Sequence, residues 1–434
     1  MLDIQFIRDS PDEVATKSAQ KGYKVDIQAI LDQDSKKRQL ITRIEEIRSQ
    51  RNVLAAELKQ GKPSAEQVDK GKRLKEEISV LEKQLQPIEA DLDTLLKQVP
   101  NMPLEDVPLG TSEADNQVAK TVGEPIEYDF KPKSHWELTE TRDLIDKQRA
   151  AKVTGARFAY IKGDLVRLQF AIVQLVLDTL SNDKLLEQII VDNHLDLVAK
   201  PFVPVLPPAM IKTSVFSAMD RLEPREDRYK VGEPEDELWL QGSAEHTLGS
   251  MYIDEILDEK MLPIRYVGYA SSFRREAGTY GKDNEGIIRM HQFDKLEMEV
   301  FSTAGTALQE HSLLVALQDH LIRQIGLPYQ VIRKCTADIG KPNARGIDIN
   351  CWMPGQGKYI ETHTADYMTN YQARELKTRV RLKNGLLELV HTNDATAFAL
   401  GRTMAAIIEN YQTEDGHFIV PEVLRKYLNG LEEI

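Results

Sequence analysis

Cysteine is nearly missing from this chain: Cys335 and Cys351 are the only two in 434 residues, and no CxxC pair occurs. A disulfide framework and a cysteine-rich zinc site are thereby excluded, and the usage fits a reducing, cytoplasmic compartment. Long apolar runs are lacking too. None approaches the roughly 18–20 residues needed to span a bilayer, so no membrane association is expected. The opening MLDIQFIRDSPDE carries early acids and no extended apolar core, which argues against a secretory leader. Positive charge is in short supply: the formal net charge is −13, which taken alone argues against a nucleic-acid partner. The remaining composition, 41% hydrophobic and 29% charged, is that of a globular protein, and the length calls for two or three domains.

The distribution of charge says more than its total. From Lys36 to Lys75 twelve Lys/Arg stand against five Asp/Glu, a local +7 that leaves −20 for the rest of the chain. A basic segment on an acidic body focuses a polyanion onto one place. After a short helical lead-in over residues 1–25, Leu40, Ile44, Ile47, Leu54 and Leu58 fall at heptad spacing, with a polar slot at Arg51. Gly61-Lys62-Pro63 breaks the pattern, and Ser64-Ala65-Glu66-Gln67 restarts it as a capping box. Leu74, Ile78, Leu81, Leu85, Ile88, Leu92 and Leu95 then step 4-3-4-3-4-3. Two heptad helices around a tight break predict an antiparallel coiled-coil hairpin over about 27–98, with Gly71 tolerated and a bend near Pro87. A dimerisation coil or a rigid spacer would show the same heptads. The basic residues gather in the tip half, which a spacer does not require and a polyanion-binding arm does.

Val99 to Pro132, with Pro100, Pro103, Pro108, Pro125 and Pro132, reads as a linker. Beyond it helices are expected over Asp143–Gly155, Leu165–Leu180, Thr306–Ile325 and Ala397–Tyr411. Strands are expected near Phe158–Gly163, Phe202–Pro208 and Glu237–Gly242 and through Tyr329–Ile360, with a helix starting at Ser243-Ala244-Glu245. This mixture predicts an α+β body of mainly antiparallel strands. Its most informative stretch is Ile264–Phe301, two alternating strands around the turn-rich Gly278–Gly286. Adjacent Arg274 and Arg275 suit a polyphosphate, Phe293 can stack on a base, and Glu276 or Glu297 can accept from an amine or hydroxyl. A surface hairpin with ordinary ion pairs has the same composition.

Taken together these residues resemble the seryl-tRNA synthetases of the bacterial-like type, within the class II aminoacyl-tRNA synthetases. The resemblance covers nearly the whole chain. It includes the hairpin, Ser134-His135-Trp136-Glu137-Leu138 and Arg149-Ala150-Ala151-Lys152-Val153-Thr154-Gly155. Val205-Leu206-Pro207-Pro208 is similar to motif 1, Phe273-Arg274-Arg275-Glu276-Ala277-Gly278 with His291-Gln292-Phe293 to motif 2, and Gly401-Arg402-Thr403-Met404 through Gln412 to motif 3. The resemblance implies an N-terminal tRNA-binding domain over 1–105 and a catalytic domain over 106–434, a class II antiparallel sheet flanked by helices. It also implies a homodimer, and ATP with Mg²⁺. The implied reaction forms seryl-adenylate from L-serine and loads tRNA(Ser), and tRNA(Sec) as well.

By the same resemblance Arg274 and Arg402 are the catalytic arginines, Arg274 on the α-phosphate and serine carboxylate, Arg402 on the γ-phosphate and adenine. Arg275, Glu276 and Phe293 complete the ATP side with Glu361, Thr362, His363 and Thr364, Glu361 holding the metal. Ser243, Ala244 and Glu245 stand for the family's Thr-x-Glu around the ammonium, and Glu297 and Thr396 meet the serine hydroxyl. Lys36, Lys37, Arg38, Arg43, Arg48, Arg51, Lys59, Lys70, Lys72 and Arg73 are the expected tRNA contacts. Departures gather in the serine half: Ser243, Asp394-Ala395-Thr396, Ala365-Asp366, Asn370 and Glu375 all differ from the usual pattern. A paralogue that binds tRNA without charging it, or that loads another small amino acid, is the alternative. Retention of Arg274, Glu276 and Arg402 argues against loss of activity. An amino acid:carrier-protein ligase would lack the arm and use zinc ligands.

Overall fold

A computed structural model describes residues 1–58, 64–233, 235–276 and 286–434, without the Leu58 side chain. The helix break at Gly61-Lys62-Pro63, Lys59 and nearly all of the Gly278–Gly286 loop lie outside the described residues. The chain divides into two compact units, Met1–Met102 and Pro103–Ile434.

In the first unit the two heptad runs form helices α1 (Ile27–Leu58) and α2 (Ala65–Leu96). They run antiparallel: Lys37 meets Glu89 at one end, while Gly71 faces Leu54 toward the other. Ile44, Ile47, Leu54, Leu74 and Ile78 make the buried seam, with Leu81 and Leu85 packed against it. The capping box forms as expected, Gln67 N donating to Ser64 Oγ at 3.2 Å and Ser64 N to Gln67 Oε1 at 3.0 Å. Helix α2 continues through Pro87 without interruption. At its far end the heptad reading needs correction, because Leu96 is buried and Leu95 only partly so. There the helix no longer faces a single partner; it packs into a small core with Ile7, Val14, Ile30 and Val99, which rotates the buried stripe by one residue.

The second unit is built on an eight-stranded sheet. In chain order its strands are β1 (Gln117–Val122), β2 (Val203–Val205), β3 (Ile264–Phe273), β4 (Gln292–Ser302), β5 (Tyr329–Arg333), β6 (Arg345–Met353), β7 (Lys358–Thr369) and β8 (His391–Ala399). The spatial order is β1-β5-β6-β7-β8-β4-β3-β2. Every pairing is antiparallel except β2 with β3. Alternation along the strands separates two faces. Leu296, Met298 and Val300 of β4, Ala365 of β7, Ala395 and Ala397 of β8 and Ile347 and Ile349 of β6 point to one side. They join the main core with helices α3 (Asp164–Leu180), α4 (Ala307–Ile325) and α5 (Leu400–Asn410). Helix α4 lies on β7 and β8, and α5 crosses β6 and β4. The intervening residues of the same strands point the other way and build the site.

Three boundaries differ from the sequence reading. The expected linker contains edge strand β1, whose side chains are almost all exposed, so no apolar alternation marks it. The helix expected from Asp143 starts at Lys147, where Asp146 caps it by accepting from Arg149 N at 2.8 Å. The helix expected from Ala397 starts at Leu400, because Ala397 and Phe398 belong to β8, which pairs with β4 up to Lys295 and Ala399. Cys335 and Cys351 are both buried and unpaired.

Candidate active site

The β3–β4 hairpin forms as the alternation predicts, in register from Ile264 with Phe301 to Phe273 with Gln292. Its open end is fastened from two sides. Arg274 N donates to His291 O at 3.0 Å, and His291 N to Arg157 O at 2.9 Å. The Arg274 side chain lies over the Phe293 ring, 5.4 Å from its centroid, with Nε donating to Gly242 O at 3.0 Å. Glu276 pairs with Arg289 at 3.1 Å, and its carbonyl accepts from Arg157 Nη1 at 2.8 Å. From the third segment, Arg402 at the start of α5 donates through Nη1 to Glu361 Oε1 at 2.9 Å and to Glu361 O at 2.8 Å. Gly401 lets this helix approach, since a Cβ there would stand 2.8 Å from Ile287 O.

One cavity gathers these groups. Arg274, Glu276, Phe293, Glu361, Thr362, Thr364, Thr396 and Arg402 all line it, together with Lys295 and Arg289. Dehydration would raise the Glu361 carboxyl, but Arg402, then Lys334 and Arg274, hold it below its ordinary value. Thr364 stands opposite Asp348 in the strand register, and its hydroxyl hydrogen-bonds to that carboxyl. Two of the expected ATP-side residues are placed elsewhere. Arg275 turns onto the Tyr229 ring, 5.1 Å from its centroid. His363 is buried on the helix-covered side against Phe398, with burial lowering its pKa to about 3. It is a neutral core histidine.

Below the cavity lies a buried polar layer on the same sheet face. Glu297 is fully enclosed and pairs with Lys295, while Ser243 Oγ and Thr396 Oγ1 each donate to its Oε2 at 3.4 Å. Burial pushes the Glu297 carboxyl up to about 7, against the pull of Lys295. Glu245 sits on a short helix, Glu245–Leu248, that rests on β3 at Gly268; a Cβ at Gly268 would meet Leu248 at 2.7 Å. Burial opposes ionisation of Glu245, but Arg221 at 3.1 Å overcomes it and holds the carboxyl well below its ordinary value. His246, lowered to about 4 by burial, accepts from Gly242 N through Nδ1 and so presents its Nε2 proton to Glu245 Oε1 at 3.4 Å. Ala244 is buried beneath, against Leu248 and Ala270.

In this layer Arg221 and Glu299 have no sequence signal, and Asp394 and Asp366 stand out only as departures from the family pattern. Arg221 joins Glu245 and also Asp394, at 3.3 Å. Glu299, Asp394 and Asp366 stand directly opposite one another on β4, β8 and β7, forming a transverse row of buried carboxyls. Burial raises all three. Only strand register brings these positions together, and a single sequence does not display register. Lys295 was open to recognition as an inward neighbour of Glu297 on one strand, two residues away.

On the arm, Arg43 reaches Glu77 at 3.0 Å, Arg48 reaches Glu82 at 2.7 Å and Lys37 reaches Glu89 at 3.1 Å, all between the two helices. Arg38 pairs with Asp34 and Arg73 with Asp69 within a helix. Among the described residues Lys36, Arg51, Lys70 and Lys72 enter no ion pair.

Comparison with known proteins agrees with this geometry. Residues 1–103 match the family model described as the seryl-tRNA synthetase N-terminal domain. Residues 229–411 match the tRNA synthetase class II core domain (G, H, P, S and T). A serine–tRNA ligase of Syntrophotalea carbinolica is 36% identical over all of this chain and all of its own length. One from an Exiguobacterium species is 37% identical, covering 100% of this chain and 99% of the relative. The crystal structure of seryl-tRNA synthetase from Pyrococcus horikoshii complexed with ATP superposes with a TM-score of 0.88 at 34% identity, covering 100% of this chain and 99% of that one. Similarity of this extent, spanning both the helical hairpin and the sheet that carries the paired arginines, places the chain in the seryl-tRNA synthetase family of class II tRNA synthetases.

Proposed function

We propose that this chain activates L-serine with ATP and transfers the seryl group to tRNA(Ser). The observation that carries this is the convergence of Arg274, Phe293, Glu361 and Arg402 from three separate segments on one cavity, whose lining residues Lys295 and Thr396 contact Glu297. In the first step a serine carboxylate oxygen attacks the α-phosphorus of ATP, and pyrophosphate leaves. In the second the terminal 3′-hydroxyl of the tRNA attacks the seryl carbonyl, and AMP leaves. Neither step needs a protein nucleophile, so the residues act by orientation and by charge placed where the transition state needs it.

Arg274, stacked on Phe293 and tied to Gly242 O, is placed for the α-phosphate and the carboxylate that attacks it. Adenine would enter between Phe293 and Arg402, with Glu276 accepting from its amine. Glu361, kept ionised by Arg402 at the cavity wall, fits Mg²⁺, which takes oxygen ligands. When bound, the ion would neutralise charge on the phosphates. Glu245 would take the serine ammonium, and Thr396 with Glu297 the hydroxyl.

A homodimer fits the sheet edge: β2 is the outermost strand, and Val203 and Leu206 beside it are 54% and 80% exposed. Among the described residues no helix is long and apolar enough to cross a membrane. Cytoplasmic residence fits the two free, buried cysteines.

The test is ATP–pyrophosphate exchange without tRNA. Serine should support it, and Arg274→Ala should reduce it by at least about a hundredfold. Exchange with another amino acid and not with serine would replace the substrate; exchange with none would replace the activity.

A further inference from the structure

Ser134-His135-Trp136-Glu137-Leu138 has no part in the reaction proposed above, yet its His135 is fully buried against an equally buried acid, Glu409. The serine and the glutamate three residues later start the helix His135–Thr141, with Ser134 N donating to Glu137 Oε2 at 2.8 Å. Glu409 of α5 accepts from His135 N at 3.0 Å and from its Nδ1 at 2.8 Å. It also accepts from Gly355 N at 3.0 Å and Gln356 Nε2 at 3.1 Å. A carboxylate so engaged only accepts, so Nδ1 carries the ring proton and Nε2 is left as an acceptor. Nε2 takes the proton of Ile287 N at 3.2 Å. The fit is close, since Gly286 has φ +66° and a Cβ there would overlap the His135 ring.

Ile287 belongs to the return limb of the β3–β4 hairpin, and Ile287, Ile288 and Arg289 line the cavity that Arg274 and Arg402 share. Helix α5 holds this limb twice. At its start Arg402 Nε donates to Ile288 O at 3.4 Å, and Gly401 lies against Ile287 O. Two turns further along the same helix face, Glu409 reaches Ile287 N through His135. Fixing an N–H and a carbonyl on neighbouring residues sets the orientation of the limb as well as its position. We propose that His135 is a positioning residue for the nucleotide: its Nε2 holds the return limb against the ATP cavity, and Glu409 fixes its ring. The inference rests on the ATP-binding reading above and extends it to a residue that touches no substrate. A limb in place for only part of the time lowers the apparent affinity for ATP by that fraction.

The experiment compares two amides in the full chain. In His135→Asn the side-chain amide falls near the place of Nδ1, so it keeps Glu409 and loses Ile287 N. In His135→Gln it falls near the place of Nε2 and does the reverse. Calorimetric titration with ATP and Mg²⁺ should show Kd raised about tenfold in His135→Asn and within about threefold of wild type in His135→Gln. KM for ATP in pyrophosphate exchange should follow the same order, with KM for serine changed by less than about threefold. Hydrogen–deuterium exchange should show the peptide around Ile287 losing protection in His135→Asn and keeping it in His135→Gln. Unchanged ATP affinity in His135→Asn overturns the proposal. So does an equal loss in both variants, or an equal rise in KM for ATP and for serine, which is what general loosening of the fold produces. Should His135→Asn fail to fold, Gly286→Ala, whose Cβ displaces the ring from the limb, should raise Kd for ATP by a similar factor; an unchanged Kd overturns the role. Wild type that binds ATP but exchanges pyrophosphate with no amino acid overturns the activation reading alone, whereas wild type that binds no ATP overturns both.

Discussion

Among the described residues Glu299 has both carboxyl oxygens buried and without a hydrogen-bond partner, beside Asp394 and Glu245, with Arg221 pulling only weakly against them. Burial, then the charges of Asp394, Glu245 and Glu297, raise its pKa well above the ordinary value. The sign of its effect on stability follows. The unfolded chain ionises near the ordinary carboxyl range while the folded protein keeps the proton. Its stabilising contribution is therefore complete below the unfolded pKa and is lost as pH rises toward the folded one, by about 1.4 kcal/mol per pH unit. Glu299→Gln keeps the shape and removes the titration. The melting temperature of the variant should gain on that of the wild type steadily from pH 5 to pH 8, as scanning calorimetry of the unliganded protein would show. A constant difference across that range would mean that Glu299 is ionised throughout. Asp394, next to it in the same transverse row, is the first of the charges whose ionisation competes with it. None of this row was legible in the sequence beyond the departures at positions 366 and 394. Glu299 looked like one more acid on a strand, and Arg221 like one more charge after a short helix. By contrast Arg274, Glu276, Phe293 and Arg402 were legible because each stands inside a local motif.

At the scale of elements, what was legible is what repeats locally. The heptads gave the arm, and the alternation on either side of the turn-rich segment gave β3 and β4. Strand β1 escaped because it is an exposed edge with little to bury, and the end of β8 because an apolar run cannot by itself distinguish strand from helix. The arm offers two predictions. Gly71 has helical neighbours on both sides, and a Cβ there would meet only Leu54 Cδ2, at 3.7 Å, an ordinary contact. Gly71→Ala should therefore stabilise the first unit by about 0.5–1 kcal/mol in urea unfolding; a destabilised variant would show that close packing on Leu54 governs the position. The basic residues also fall into two groups. Arg43 and Arg48 are engaged with Glu77 and Glu82 across the hairpin, in exposed pairs that solvent and salt screen. Among the described residues Lys36, Arg51, Lys70 and Lys72 have no such partner and can give their whole charge to a phosphate. Substituting Arg51, Lys70 and Lys72 by Gln should lower the salt slope of tRNA binding by about 0.7–0.9 per residue that contacts a phosphate. Arg43→Gln with Arg48→Gln should change that slope less. Equal slopes for the two sets, measured by filter binding across a salt series, would show that the interhelical pairs open on binding.

At the scale of the whole molecule, the arrangement separates two kinds of work by charge. The +7 stretch lies in the first unit, and the acidic remainder carries −20, including the buried carboxyls of the sheet. On the proposed reading a tRNA would be drawn by exposed lysines and arginines, whose field is screened beyond about 8–10 Å at physiological salt. Serine and ATP would instead be bound in an enclosed site, by groups at hydrogen-bond range from one another, where screening has little reach. The two halves of the reaction should therefore part company as salt is raised. Between about 50 and 200 mM KCl, the kcat/KM of aminoacylation with respect to tRNA should fall by at least about tenfold, since each phosphate contact releases a counterion. Serine-dependent pyrophosphate exchange over the same range should change by less than about twofold. The comparison needs only the intact protein and the two standard assays. A parallel fall in both would place the salt-sensitive step in adenylate formation, and would remove the reason for assigning tRNA capture to the basic arm.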